Sequence, residues 1–306
     1  MRRAFLRATT AILLLTGVIA VPAAGAGAAS IGPYVDISPP AIVGAGLTAT
    51  EVPVQVVNTG GTAHFAVRLR LTVTPVAGSA IRPLADTLNL TYQFGSQYRQ
   101  LSYETHGDAL VATTPNLAGV EADGTATIRL RVSTRPTSAA PHVDEVTVEV
   151  STEALDEYGT PFAADPGPDR MTMVEPRAEL SGWPAQLPVG TPAVVTMTLS
   201  NTTPLPYLIL MPALAMYRSG NDQVTVERLD GQQWTPIAGP SNIYYWWYAD
   251  GYPSLQPGDT YTATLRITFT DDSAVGEQGF VYHTGYTYFG APIAADLHPY
   301  TIVARD

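Results

Sequence analysis

The sequence contains an internal duplication, and this feature constrains the fold more than any other. Residues 35–59 align with residues 178–202 without a gap, so that Asn58-Thr59 matches Asn201-Thr202. Three further matches follow in the same order: 90–101 with 226–237, 125–132 with 262–269, and 158–165 with 289–296. Two such copies in 306 residues predict two domains of the same fold. We place domain 1 at residues 30–176 and domain 2 at residues 177–306.

Apolar and polar side chains alternate along both copies, which is typical of half-buried strands. In the first copy the pattern predicts one apolar face made by Phe65, Val67, Leu69, Leu71 and Val73. The same alternation recurs in four other segments: 128–132, 146–150, 195–199 and 265–269. Glycine and proline, 26 of each, interrupt these runs, and no long helical period with caps is present. We therefore predict an all-β chain of two tandem immunoglobulin-like antiparallel β-sandwich domains.

One hairpin is predicted at the same place in each copy. Asp230-Gly231 separates two short strands and favours a type I′ turn, and Phe94-Gly95 occupies the matching position. Within these two predicted hairpins, Tyr98 of the first copy is aligned with Trp234 of the second copy. We interpret this aromatic position as a shared core position.

The first 29 residues have the composition of an export signal. A cationic start from Met1 to Arg7 precedes an apolar run at 11–21 and the small residues 23–29. Cleavage fits after Ala26, Ala28 or Ala29. The paired arginines Arg2-Arg3 resemble the twin-arginine motif, and an ordinary secretory signal remains the alternative. We expect a secreted protein, extracellular or associated with the cell envelope, with no transmembrane segment after processing.

The composition narrows the chemistry available to the chain. There is no cysteine, which excludes disulfides and a lipid anchor on a cysteine, and no lysine, which excludes Schiff-base catalysis. The formal net charge is -11, so the surface repels nucleic acid. We expect no nucleic-acid partner and no cofactor.

Candidate catalytic and metal-binding residues are few. His106 with Asp108, and His142 with Asp144, each place an imidazole near a carboxylate, but this spacing is common in structural loops. The histidine spacings typical of zinc sites and the Gly-x-Ser-x-Gly motif of hydrolases are absent. Carboxylates are paired at three turns: Asp156-Glu157, Asp165 with Asp169, and Asp271-Asp272. These could hold calcium, although a solvated turn is their default role.

An aromatic run in the second copy has no counterpart in the sequence of the first copy. Residues 242–252 hold the candidate binding residues Tyr244, Tyr245, Trp246, Trp247, Tyr248 and Tyr252. In a strand, Tyr245 and Trp247 belong to one face and Trp246 and Tyr248 to the other. Three roles remain open for this run: packing in the core or between the domains, a surface for a glycan or protein ligand, and oligomerisation.

Strand and turn signatures carry a resemblance to known proteins. The hairpin at 230–237 and the segment at 255–267 (LQPGDTYTATLRI) resemble secreted actinobacterial proteins with repeated immunoglobulin-like surface modules. The resemblance implies a non-catalytic extracellular module. We therefore expect a secreted binding or envelope structural protein that is not an enzyme. A carbohydrate-binding protein that uses Tyr244 to Tyr252 is the first alternative, and an extracellular hydrolase is the second.

Overall fold

The computed structural model describes most of the chain after the predicted signal. The described residues are 32–77, 84–135, 145–217, 224–237, 245–248, 253–270, 275–287 and 292–305, with residues 217 and 245–248 described by their backbone alone. The predicted signal peptide and the residues Tyr244 and Tyr252 lie outside this set.

The first half of the described chain consists of twelve strands and one helical turn. The elements are β1 (Tyr34–Ile37), β2 (Ile42–Gly44), β3 (Thr50–Val57), β4 (Arg68–Pro75), α1 (Leu84–Thr87), β5 (Leu88–Phe94), β6 (Gln97–Gln100), β7 (Tyr103–His106), β8 (Ala109–Thr113), β9 (Thr125–Thr134), β10 (Glu145–Leu155), β11 (Pro161–Ala164) and β12 (Asp169–Val174).

The second half of the described chain consists of strands alone. They are β13 (Arg177–Ser181), β14 (Gln186–Pro188), β15 (Ala193–Ser200), β16 (Leu210–Tyr217), β17 (Val224–Asp230), β18 (Gln233–Pro236), β19 (Tyr245–Tyr248), β20 (Thr260–Phe269), β21 (Gln278–Thr287) and β22 (Pro292–Val303).

The strand order is that of an immunoglobulin-like sandwich. In the second half, one layer runs β13-β15-β20-β17-β18 and the other β14-β22-β21-β16-β19. These layers reproduce the A-B-E-D and G-F-C orders of the immunoglobulin fold. The first half repeats them as β1-β3-β9-β5-β6 and β2-β12-β10-β4-β8, with β7 added next to β8 and β11 also paired with β10. The two layers are joined where Tyr34 of β1 pairs with Ala164 of the parallel strand β11. The predicted all-β class with antiparallel sandwich architecture is confirmed.

Alternating strand residues fill the space between the layers. Leu69, Leu71 and Val73 of β4 belong to one buried cluster with apolar residues of both layers of the first half. In the second half, Leu214 and Met216 of β16 pack in a separate cluster with Phe269 of β20. Burial of these side chains removes apolar surface from water and is the main source of stability in a chain without disulfides.

The apolar face predicted at 65–73 begins later than the alternation indicated. Phe65 is 88% exposed, because the chain joins the sheet as β4 only at Arg68. Just before it, His64 forms an isolated bridge with Val120 and stacks on the ring of Phe162 at 3.9 Å. Phe65 is therefore a surface residue, and the prediction that it lies on the core face is wrong.

Both predicted hairpins are present, with a different turn. Phe94 pairs with Gln97 and Asp230 pairs with Gln233, so each loop has two residues and begins at the glycine. Gly95 and Gly231 both have a φ of 62°. Ser96 and Gln232, the second residues of the two loops, do not have a positive φ, and a positive φ at the first central residue alone is the pattern of a type II′ turn rather than the predicted type I′.

The two halves contact each other through the loop that follows β2. Gly46 has a φ of 69°, and a methyl group there would lie 2.4 Å from the carbonyl oxygen of Pro292 in the second half. Leu47 packs against a second-half cluster that contains the fully buried Tyr207. The connecting residues 175–176, between β12 and β13, are buried as well. This close approach restricts movement between the halves.

Candidate functional site

The aromatic run contributes an edge strand to the second half. The backbone of β19 pairs antiparallel with β16, where Trp247 is opposite Leu214 and Trp246 is opposite Ala215. The strand lies at the end of its layer next to β16. Of the predicted binding residues, the structure thus places Tyr245, Trp246, Trp247 and Tyr248 on one strand.

The structure provides a topological counterpart for this strand in the first half. β8 pairs with β4 as β19 pairs with β16, next to the same strand of the fold. Leu110 and Ala112 of β8, both buried, are opposite Val73 and Leu71. The corresponding register positions of β19 are those of Tyr245 and Trp247. Sequence comparison missed this relation because β8 carries small and aliphatic residues where β19 carries aromatic ones.

An open groove of about 560 Å³ runs along the solvent face of β4, β7 and β8. Alternation places Arg68, Arg70 and Thr72 of β4 on this face, since Leu69 and Leu71 between them are in the core. Glu104 and His106 of β7 complete the opposite side. Sequence analysis considered His106 only with Asp108; the structure brings it together with two arginines from a strand some 36 residues earlier in the chain.

Histidine and aspartate side chains connect the layers of the second half. His283 is fully buried, and its ring nitrogens lie 3.0 Å from the Thr198 oxygen and 3.3 Å from the Ala213 oxygen. Burial lowers the pKa of His283 and outweighs these two contacts, so the ring is neutral at pH 7. Asp296 accepts a hydrogen bond from the Leu180 amide at 2.7 Å. The contact of His283 with Thr198 and the bond of Asp296 with Leu180 bridge opposite layers, whereas Ala213 lies on β16 of the same layer as His283. The two side chains therefore have structural roles.

One predicted carboxylate pair comes together in the structure. Asp165 and Asp169 flank the turn between β11 and β12, where Asp165 accepts a hydrogen bond from the Gly167 amide at 3.1 Å. Desolvation and the neighbouring carboxyl group of Asp165 raise the pKa of Asp169 to about 6. The pair therefore shares a proton in mildly acidic solution.

The other candidate carboxylates and histidines either contact residues close to them in sequence or lie outside the described residues. Asp156 accepts hydrogen bonds from two amides of its own turn, and His106 lies 3.5 Å from Glu104. His142 with Asp144, and Asp271-Asp272, lie outside the described residues. Within the described ranges, no group of three or more histidine, aspartate or glutamate side chains could hold a metal ion.

The matched aromatic position lies on an outer sheet face in both halves. The guanidinium of Arg131 stacks 3.7 Å from the ring centre of Tyr98, and that of Arg266 stacks 4.6 Å from the ring centre of Trp234. Both rings are half-buried and belong to neither core cluster. The position is shared, as predicted, but the prediction that it is a core position is wrong. Cation–π contacts with arginines of β9 or β20, the second strand along in each layer, cover these rings instead.

No helix in the described part of the chain is long and apolar enough to cross a membrane. No protein-family model matches the sequence, and no curated protein matches it either.

Solved structures share only a remote likeness with the chain. A protein that catalyses macrocyclization in alchivemycin A biosynthesis has a TM-score of 0.33 at 13% identity, over 47% of this chain and 89% of its own. Salmonella alpha-2-macroglobulin has a TM-score of 0.35 at 16% sequence identity. The match covers 89% of this chain and 16% of the macroglobulin. The C-terminal domain of a Streptococcus agalactiae AgI/II polypeptide has a TM-score of 0.31 at 8% sequence identity. The match covers 88% of this chain and 99% of that domain. Likenesses this weak carry no argument about function.

Proposed function

We propose that this chain is an exported, non-catalytic protein that acts by binding or as a structural part of the cell envelope. The observation that carries the proposal is the role of its buried polar groups. His283, which would be a candidate acid or base, connects two layers through its contact with the Thr198 carbonyl. Asp296 does the same through Leu180. The polar side chains of β4 and β7 line a groove that is open to solvent, whereas catalytic sites commonly exclude water.

The binding part of the proposal is tested with the mature protein. Purified residues 30–306 are incubated with cell-wall sacculi and with envelope polysaccharides, and bound protein is collected by centrifugation. We expect co-sedimentation with one of these fractions and no release of reducing ends or amino groups. Turnover of any fraction, with release of such groups, would contradict the non-catalytic proposal.

The export part is tested separately in a bacterium that expresses the full chain. The cationic start and the apolar run at 11–21 support export. We expect the protein in the medium or the envelope fraction, with a new N-terminus after Ala26, Ala28 or Ala29. Full-length protein confined to the cytoplasm would contradict export. A variant with Arg2 and Arg3 both replaced by lysine distinguishes the two export routes, since twin-arginine transport depends on the arginine pair.

The aromatic strand β19 supports a more specific alternative, a carbohydrate-binding protein. Its place at the end of a layer leaves one side of the strand without a paired neighbour among the described residues. Aromatic residues in such a position provide flat platforms for sugar rings. Tyr245 and Trp247 occupy register positions that are buried in the first half, so we propose Trp246 and Tyr248 as the residues that contact a ligand.

Two single variants on a glycan array test this alternative. We expect Trp246→Ala to lose most of the binding, and Trp247→Ala to lower the melting temperature through a loss of packing. Full binding by a variant that combines both substitutions would exclude β19 as the carbohydrate surface.

A further inference from the structure

The groove on the first half has arginine side chains that are already held in place. Arg68 donates a hydrogen bond from Nε to Asn116 Oδ1 at 2.9 Å and one from Nη2 to the Glu157 oxygen at 3.4 Å. Arg70 pairs with Glu153 on the adjacent strand β10 at 3.2 Å. Because these contacts use only part of each guanidinium, further N–H groups are available to a ligand in the groove. Fixed donors bind with a smaller loss of side-chain entropy.

An exposed tyrosine stands at the end of the same groove. Tyr158 is 85% exposed, although tyrosine usually buries much of its ring. It lies in the turn between β10 and β11, between Glu157, whose carbonyl binds Arg68, and Gly159, which lines the groove. This arrangement places the backbone of Tyr158 next to the groove and leaves its ring accessible to a ligand there.

The turn that carries this tyrosine is rigid. Asp156 Oδ1 accepts hydrogen bonds from the amides of Tyr158 and Thr160 at 3.0 and 2.7 Å. Gly159, with a φ of 88°, donates a third to the Asp156 oxygen at 3.0 Å. A turn fixed in this way holds the backbone of Tyr158 in place, so that less conformational freedom is lost when a ligand binds its ring.

Charge in the groove selects the class of ligand. Two arginines are balanced by the carboxylates of Glu104 and Glu153, and the whole chain carries a formal charge of -11. The net negative charge of the chain would repel a polyanion, and the two arginines in the groove would repel a polycation. The vicinal hydroxyl groups of an uncharged sugar, in contrast, can accept hydrogen bonds from guanidinium N–H groups. They can also donate hydrogen bonds to carboxylate and threonine oxygens.

The face of a sheet is a poor site for a peptide. Strand β4, at the centre of the groove, is paired on both sides by β10 and β8, so its backbone groups cannot bind an added strand. Apolar lining is limited to Val111 and the buried Leu155. The volume of about 560 Å³ lies within the range of about 300–1,000 Å³ found for small-ligand sites.

We propose that the groove formed by Arg68, Arg70, Thr72, Glu104 and His106, with Tyr158 at its end, binds a short segment of an uncharged polysaccharide. The ring of Tyr158 stacks on the apolar face of one sugar while the arginines and Glu104 bond its hydroxyl groups. This inference rests on the proposed binding function and locates it on the first half, away from β19.

The second half does not repeat this groove. Strand β16 has Ala213 and Ala215 on the face where β4 has arginine and threonine, and both alanines are buried. In the part of the chain that the structure describes, this groove therefore occurs once despite the duplication, and we expect one polysaccharide segment to bind it.

Affinity electrophoresis under native conditions tests the proposal with the mature protein. The gels contain dextran, mannan, xylan or starch as uncharged probes, and polygalacturonate as the anionic comparison. We expect at least one uncharged polymer to retard the wild type. Tyr158→Ala and Arg70→Met are each expected to weaken this retardation about ten-fold, the effect of losing one stacked ring or one guanidinium. Neither side chain belongs to a core cluster, so both variants should keep the wild-type melting temperature.

Matched controls come from the same half of the molecule. Phe65 is an equally exposed ring, at 88%, and Arg170 is an exposed arginine paired with Glu149 on β12 and β10. Phe65→Ala and Arg170→Met should bind like the wild type. Neither Phe65 nor Arg170 lines the groove.

Five results would overturn the assignment. Wild-type retardation that survives in both groove variants would place the polysaccharide elsewhere, and its loss in Trp246→Ala would place it on β19. Retardation by polygalacturonate alone, or by no polymer, would reject an uncharged saccharide in the groove. Binding of casein peptides that is lost in Tyr158→Ala would identify a peptide site instead. The sedimentation assay with sacculi judges the wider binding function independently of these results.

Discussion

His283 shows how a single residue can make the stability of the fold depend on pH. Because burial lowers the pKa of His283 in the folded protein, the unfolded chain binds the proton more tightly. Stability is therefore complete above the unfolded pKa of about 6.5 and falls as the pH decreases below it. The slope from this group approaches about 1.4 kcal/mol per pH unit.

Urea unfolding of His283→Asn between pH 5 and 7.5 measures this contribution. We expect the variant to be less stable than the wild type at pH 7.5 and to have a smaller loss of stability on acidification. His106→Asn, which changes an exposed histidine, should keep the wild-type slope. Equal slopes for all three proteins would contradict the buried neutral state of His283.

The carboxyl pair Asp165–Asp169 acts in the opposite direction. Because the pKa of Asp169 is raised to about 6, the folded protein holds this proton more tightly than the unfolded chain. The stabilisation it gives is present at low pH and is lost as the pH rises through about 6. Replacing Asp169 by asparagine removes the repulsion from Asp165.

We expect Asp169→Asn to stabilise the protein at pH 7.5 by about 1 kcal/mol, a small value because both carboxyl groups are partly exposed. At pH 3.5 the variant and the wild type should have the same urea midpoint. Asp108→Asn, at an exposed turn, is the control and should change neither value. A destabilised Asp169→Asn at pH 7.5 would show that the carboxylate forms a favourable bond instead.

At the scale of elements, a buried asparagine organises the same loop in both halves. Asn201 Nδ2 donates to the Leu205 and Leu255 oxygens at 2.8 and 3.0 Å, and its Oδ1 accepts from the Thr203 amide at 3.1 Å. Asn58 makes the matching bonds to the Thr62 and Glu121 oxygens. The duplicated Asn-Thr pairs thus fix the chain where it leaves β3 and β15.

Asn201→Ala should lower the free energy of unfolding by about 2–4 kcal/mol, because it leaves buried carbonyl groups without a donor. Asn116→Ala, which changes an exposed asparagine, should cost less than about 1 kcal/mol. Chemical denaturation measures both. A cost below about 1 kcal/mol for Asn201→Ala would mean that water replaces the amide in the loop.

Strands could be predicted from alternation because their period is local. The segments 128–132, 146–150, 195–199 and 265–269 all lie within strands of the structure. Phe65 continues the pattern of β4 but lies outside the sheet, because the bridge between His64 and Val120 decides where pairing starts. The partners of a strand are set by distant residues, which a local pattern does not contain.

At the scale of the molecule, Gly46 determines how closely the two halves approach. Alanine at this position would need the left-handed conformation and would also collide with the Pro292 carbonyl of the second half. Gly95 has a similar φ of 62°, but a methyl group there meets nothing within 4 Å. A comparison of the alanine variants at Gly95 and Gly46 therefore separates two contributions to the loss of stability. One is the cost of a left-handed backbone at alanine, and the other is the cost of the collision with Pro292.

We expect Gly95→Ala to cost about 1 kcal/mol and Gly46→Ala to cost at least twice as much. If the junction couples the halves, calorimetry of Gly46→Ala should show a broadened or divided transition, and trypsin should cut after Arg177 more readily. Equal melting temperatures for the two variants would mean that the contact at Pro292 is relaxed without loss.

The duplication determined much of this protein by itself. It gave the repeated strands, both hairpins and the β class, because apolar alternation and glycine turns are local properties of the chain. Only the tertiary structure decided that Trp234 is covered by Arg266 on an outer face, and that Arg68, Glu104 and His106 line one groove. Those residues are far apart in sequence, and strand pairing across β10, β4, β8 and β7 brings them together. Strand pairing also shows that β19, in the aromatic run, is the counterpart of β8. The two strands occupy the same place in the fold although their sequences are not similar.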